Sequence, residues 1–420
     1  MKNQAAVDPP ADRTRLRNYS LLLANNAIFW VGISLISPIT ILPLFVAHLT
    51  DSNLLVGAVP AIVQVSWALP QLFGPAHFER RRYNRRSVAG YNMAGRLLFT
   101  AYGAMVILLT AGNPGLILVL FFVFMLIFRG TSGFTTTGWV DILGKVIDPR
   151  ARGRFLGIGQ AAGGLMGAGG VWLAGRVMGE NAFPQGFGAS MIVAGLILAF
   201  TSFLLFFVKE PASAVRASRG KWWGIAAGLP KVFAGDRPFL IYVIGRVAIG
   251  WGMVAFSFFS VYAARELGAT DRDVAGYTSV LLVAQTASSL VWGFASDRLG
   301  SRRIPLFGGV VGMGATALAV AAPGGSALYG VFALVGMSLG AFIVSDLAIL
   351  LDMAPANKRP TYVAAFNLTS APLLLVAPLV AGLVADSAGF RTMFTLALAI
   401  TAVGILVVLP TSMRSRSVSP

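Results

Sequence analysis

The chain contains no cysteine. A disulfide framework and any thiolate metal site are thereby excluded, and with them the usual clue to redox compartment. Histidine is almost as scarce: only His48 and His77 occur, neither spaced for a shared metal. The H-E-x-x-H signature and the G-x-x-x-x-G-K phosphate loop do not occur, which argues against zinc-dependent hydrolysis and direct use of ATP. One dinucleotide-like match, Gly312-Met-Gly314-Ala-Thr-Ala317, lies inside an apolar run with neither the strand nor the acid that such a site requires, and is read as coincidence. No enzyme, cofactor or metal is expected.

Charge is also sparse, at 12% of the residues against 56% hydrophobic. What fills the chain is a series of apolar runs of about 20 residues, the length that crosses a bilayer as a helix. They are continuous rather than alternating apolar and polar, so transmembrane strands are excluded. Twelve spans are predicted, at 20–47, 53–76, 88–110, 115–140, 155–177, 187–208, 239–264, 274–295, 304–322, 327–351, 361–385 and 392–409. Internal prolines such as Pro38, Pro60, Pro70, Pro372 and Pro378 suit bundled membrane helices, where neighbours satisfy the freed backbone groups. The polar, basic start has no short apolar region with a cleavage site, so the first span is expected to stay in the protein.

A net charge of +17 would suit nucleic acid, but its distribution does not. Of 33 Lys and Arg, only Arg176, Arg265, Arg272 and Arg391 fall on one side of the predicted membrane, and Arg96, Arg129 and Arg246 fall within spans; the rest lie on the other side. By the positive-inside rule that basic side is cytoplasmic and holds both termini, facing anionic lipid. No nucleic-acid partner is expected.

The longest polar stretch, KEPASAVRASRGKWWGIAAGLPKVFAGDRP, divides the spans into six and six. The expected organisation is a tail at 1–19, a six-helix bundle at 20–208, a linker at 209–236, a second bundle at 237–409 and a tail at 410–420. Within the linker, Lys221-Trp222-Trp223 through Lys231 has the composition of an interfacial helix, though a solvated linker fits equally.

The densest charge lies in Gly293-Phe-Ala-Ser-Asp297-Arg298-Leu-Gly300-Ser-Arg302-Arg303, read as a tight membrane-surface turn after the eighth span. A weaker copy, Gly74-Pro-Ala-His-Phe-Glu79-Arg80-Arg-Arg82, follows the second span, and Arg152-Gly153-Arg154 pairs with Arg359-Pro360-Thr361 in the same way. Six-helix repeats of this kind are a transporter architecture. The G-x-x-x-D-R-x-G-x-R-R loop, the duplication and the midpoint linker together resemble the major facilitator superfamily in its twelve-helix form. That resemblance implies an all-α integral membrane protein of two pseudo-symmetric six-helix bundles. Arg129-Gly-Thr-Ser-Gly133 is similar to the family's R-x-x-x-G element on the fourth helix, discussed in relatives with proton coupling. The glycine-rich fifth span is similar to the drug-exporting branch, although without its Gly-Pro pair.

An aspartate at a helix end can pair with Arg on the next turn and with another helix's N-terminus, in contacts that exist in one conformation only. A cytoplasmic latch is therefore expected from Asp297, Arg298, Arg302 and Arg303 with Asp346, and in the first half from Glu79, Arg80 and Asp141. The copy nearer the family pattern, at Asp297, is expected to matter more. Polar groups at membrane depth are costly and become the binding candidates. Since the resemblance implies that spans one, four, seven and ten line the cavity, Asn26, Trp30, Arg129, Arg246 and Trp251 are favoured.

The expected function is secondary active transport of a small solute by alternating access in the cytoplasmic membrane, by a monomer among lipids, with a proton as candidate coupling ion. Export of amphipathic molecules suits the aromatic candidates and the glycine-rich span. Uptake or exchange of anionic solutes suits the three arginines within spans. A receptor or scaffold without transport is the third reading.

Overall fold

A computed structural model describes residues 12–148, 151–181, 183–212, 232–354 and 359–413. Most of the 209–236 linker, the extreme tails and the Lys221–Lys231 segment lie outside the described residues. Among the described residues the chain is helical and without strands. In order, the helices are α1 (Asp12–Ser34), α2 (Ile41–Leu49), α3 (Asn53–Gln71), α4 (Gly74–Phe78), α5 (Arg85–Leu109), α6 (Pro114–Val146), α7 (Arg152–Glu180), α8 (Gln185–Leu205), α9 (Arg237–Met253), α10 (Phe259–Glu266), α11 (Asp271–Leu299), α12 (Ile304–Ala321), α13 (Leu328–Met353) and α14 (Arg359–Met413).

Nine helical stretches among the described residues are long and apolar enough to cross a membrane. One of them is α14, which holds two spans. At Gly389 its backbone takes φ 82°, a conformation only glycine adopts freely, and the chain reverses there. The remaining spans, α1 and α7, are less apolar for a structural reason: α1 carries Asn18, Asn25 and Asn26, all buried, and α7 presents glycines to its neighbours. With these two the spans number twelve.

Three boundaries differ from expectation. The first span ends at Ser34 and resumes as α2, because Pro38 disfavours helix at Ser37. The seventh is interrupted by a 3₁₀ turn at Val254–Ser257 between α9 and α10. The charged run after the eighth span is mostly helix: α11 continues to Leu299, and Gly300 with φ 85° ends it, leaving Ser301–Arg303 as a single 3₁₀ turn.

The helices before Val208 pack on one another, as do those after Asp236, and the two sets meet along α7 with α11 and α3 with α14. Small residues permit the approach. A Cβ at Gly57 would lie 2.2 Å from Pro378 O, and one at Gly164 would lie 2.4 Å from Thr286 Oγ1. The glycines of α7 thus have a packing role, with Gly159, Gly163 and Gly167 seating Asn26, Trp30 and Ser34 of α1.

The apolar core is divided unevenly. The largest cluster joins both sets at the end of the bundle away from the termini, bringing Phe45, Tyr102 and Phe121 into one group with Phe258, Phe259, Tyr262 and Phe394. At the terminal end there are two separate clusters instead. One, around Phe78 and Phe155, belongs to the first set; the other, around Phe239 and Tyr362, belongs to the second.

Candidate functional site

Between α1, α3, α5, α6 and α7 lies a cavity of about 570 Å³, within the range that holds drug-sized ligands. It runs from Pro38 and Leu42 toward Leu156 and Leu205 at the terminal end. Its wall is amphipathic. Phe29, Trp30, Trp67, Phe128 and Trp139 supply aromatic surface, while Asn26, Asn92, Arg96, Arg129, Ser132 and Gln160 supply polar groups, and no carboxylate lines it.

The α6 contribution follows from the Arg129-to-Gly133 spacing. Gly133 lets α6 lie directly on α3, since a Cβ there would stand 2.0 Å from Trp67 O. That contact brings Trp67 beside Arg129 and Ser132, one turn apart on the cavity face.

Two arginines share this wall and are held differently. Arg96 is buried and donates through Nη1 to Leu198 O at 2.6 Å, Thr201 Oγ1 at 2.6 Å and Ser202 Oγ at 2.7 Å. Its guanidinium braces α5 against α8 and stands over the Phe29 ring at 5.6 Å. Arg129 has no hydrogen bond or ion pair among the described residues, and its Nε is buried without a partner. An arginine at bilayer depth costs roughly 2.5 to 3.5 kcal/mol, so an unbonded one facing a cavity is a candidate for function.

The other expected binding residues separate. Asn26 and Trp30 stand in the cavity wall with Arg129. Arg246 does not: its Nε and Nη2 each donate to the Asp346 carboxylate at 2.9 Å, and it stacks over Phe342 at 4.0 Å. The pair is bidentate and self-contained within the second set of helices. Trp251 packs beside the apolar cluster around Phe239 and Tyr362. The polar residues at depth are thus sorted by geometry into one group on the cavity and one group bracing helices.

Of the residues expected to latch the terminal face, Asp346 is committed to Arg246 inside its own half. Asp297, Arg298, Arg303, Glu79 and Arg80 are exposed. Arg302 donates to Asp352 at 2.6 Å, and Asp141 meets Lys145 at 2.5 Å and Asn84 Nδ2 at 2.8 Å. These contacts stay within one half.

A residue not anticipated completes the first-half network. Glu210 is fully buried at its side chain and accepts from the backbone N–H groups of Asn84 and Arg85, at 2.8 to 2.9 Å, and from Lys145 at 2.6 Å. It caps the free amides at the start of α5. The signal was available, since Glu210 is the only acid between Glu180 and Asp236 in a strongly basic stretch.

The contacts that join the halves sit at the opposite end. Arg265 donates to Thr50 O at 2.7 Å, Asn53 Oδ1 at 2.8 Å and Asp51 O at 3.1 Å, closing on the loop after α2. Asp386 accepts from Asn53 N at 2.7 Å and Leu54 N at 3.0 Å, capping α3 from α14. His48 meets Asp271 at 2.8 Å, Ser260 donates to Thr40 O at 3.1 Å, and the hydroxyls of Thr40 and Thr278 lie 2.7 Å apart. A carboxylate on a helix N-terminus across the halves is the device expected of Asp297, realised here by Asp386. In the sequence Arg265 stands out only as an exception to the charge asymmetry.

The comparisons agree with this geometry. Residues 243–420 match the family model described as Major Facilitator Superfamily. A curated relative, the MFS-type transporter ungB of Aspergillus violaceofuscus (strain CBS 115571), is 27% identical over 146 residues, a stretch covering 34% of this chain and 27% of that protein. The matched stretch thus spans about a quarter of that relative's length. Among solved structures, a variant of the nucleoside transporter NupG superposes with a TM-score of 0.72 at 12% identity, covering 95% of this chain and 99% of that one. A bacterial homologue of the iron transporter ferroportin, in an inward-facing state, gives 0.71 at 14% identity with the same coverage. The second half of the chain, residues 243–420, thus matches the Major Facilitator Superfamily, and the chain as a whole has the fold of these solved transporters.

Proposed function

We propose that the protein is a secondary active transporter that exports an amphipathic small molecule across the cytoplasmic membrane by alternating access. The observation that carries this reading is the asymmetry of the bundle. A cavity with aromatic and polar walls extends toward the terminal end, while the halves are fastened to each other at the far end by Arg265, Asp386 and Thr40. Two bundles, 20–208 and 237–409, rocking about the α7/α11 and α3/α14 seams would expose the same cavity to either face. The basic excess at the terminal end makes that face cytoplasmic, with both termini there. On this assignment the arrangement described is open to the cytoplasm. Export suits it, because an amphipathic molecule partitioning from the inner leaflet would meet an aromatic cavity directly. An ion gradient supplies the energy.

The test is flux. Purified protein in proteoliposomes should move an amphipathic dye only when an ion gradient is imposed, and a proton or sodium gradient alone should identify the ion. A reconstituted protein that binds such dyes yet moves none under any gradient would favour a receptor instead.

A further inference from the structure

We infer that the molecule carried is an organic anion with a planar aromatic body, whose anionic group pairs with Arg129. This rests on the amphipathic-cavity reading above and narrows it to one charge class.

The arginines at membrane depth decide the point. Arg246 is neutralised by Asp346 through two bonds of 2.9 Å, so the second half offers no net charge to a ligand. Arg96 is tied to α8 through Nη1 by Leu198 O, Thr201 and Ser202, although its Nε, too, is buried without a partner. Arg129 has no such tie. No described group bonds it, its Nε is buried without a partner, and it stands in the wall of the cavity. With two cations and no carboxylate in that wall, the local field is positive and attracts anions.

The surroundings of Arg129 specify the rest. A guanidinium offers parallel donors that suit a planar carboxylate or another oxyanion. Trp30, Trp67 and Trp139 provide flat apolar surface for an attached ring, and Asn26 and Gln160, which have no bond to any described residue, can read a polar substituent. A cationic drug, the commonplace amphipath, would meet two positive charges and no acid. The exporter and anion-carrier readings of the sequence therefore merge into one.

The experiment is calorimetric titration of the purified full chain with three probes of one shape: 2-naphthoate, 2-naphthamide and 2-naphthylmethylammonium. In the wild type the carboxylate should bind about tenfold or more tightly than the amide, ~1.4 kcal/mol, and the ammonium most weakly. In Arg129→Met that preference should fall to about one, with amide binding unchanged; Arg129→Lys should retain a part of it. Should Arg129→Met fail to fold, Arg129→Gln is judged by the same carboxylate-to-amide ratio. Equal affinities for carboxylate and amide, tightest binding of the ammonium, or an undiminished preference in the folded neutral variant would overturn the inference and leave amphipathic transport standing. If none of the probes binds, the amphipathic cavity itself is wrong, and the inference goes with it.

Discussion

The two ends of the bundle are built on opposite plans. At the end away from the termini, one apolar cluster draws from both halves, and charged groups reach across it to bond backbone: Arg265 to the carbonyls of Thr50 and Asp51, Asp386 to the amides of Asn53 and Leu54. At the terminal end, the apolar cluster is split in two and the charged groups bond within their own half, as Glu210 does to Asn84, Arg85 and Lys145 and as Arg302 does to Asp352. Charge is more abundant at the terminal end, yet fewer charges at the other end hold the halves together. What matters is the partner rather than the number. A side chain that caps a helix or loop of the other half works only in the conformation that presents that backbone, whereas an intra-half pair persists through the movement.

The largest effect should come from removing the residue with most cross-half bonds. Arg265→Ala loses bonds to charged donors, each of a kind worth about 1.5–3 kcal/mol, and should shift the population toward the opposite state by roughly tenfold or more. The chain has no native cysteine, so alkylation of a single Thr40→Cys by a membrane-impermeant maleimide reads that shift as a faster rate. Unchanged labelling would mean that the apolar cluster alone holds the far end shut.

Glu210→Gln should sharpen the contrast from the terminal side. It removes charge-assisted bonds to the start of α5 and to Lys145, and should lower stability by about 2 kcal/mol, seen as a lower Tm, while Thr40→Cys labelling stays the same. A change in labelling would show that this network does reach across the halves.

Asp386→Asn is expected to be milder. The amide keeps an acceptor for α3 but loses the charge at its N-terminus, worth about 0.3–1 kcal/mol, so labelling should rise by only a few-fold. Smallest in this arrangement is Asp297→Asn, an exposed position whose substitution should change Tm by less than about 0.5 kcal/mol equivalent. Its effect should appear in flux instead, and exceed that of Glu79→Gln, if the charged turn fastens the terminal end in the other state. Equal flux in both variants would remove that turn from the gate.

Much of this fold could be read from the residues, because crossing a bilayer imposes a length and an apolarity on each span that local sequence displays directly. The placement of Asn26, Trp30 and Arg129 together followed only from the resemblance, which implies that spans one and four line the cavity. The pairing of Arg246 with Asp346 did not follow. The partners are separated by 100 positions, and either could have faced the cavity or a neighbouring helix. The far-end latch was hidden more deeply, because Arg265 and Asp386 bond backbone atoms, which carry no residue-specific signal. The break in the first span did not follow either, because Pro38 is read inside a continuous apolar run without weighing its steric effect on Ser37.

The most direct measurement is a reversible cross-link across that latch. The hydroxyls of Thr40 and Thr278 lie 2.7 Å apart, on the loop before α2 and on α11, in a chain free of cysteine. Oxidising a Thr40→Cys, Thr278→Cys double variant in proteoliposomes should abolish flux while preserving ligand binding, and a thiol reductant should restore it. Full cross-linking with undiminished flux would contradict alternating access through the separation of these two helix sets.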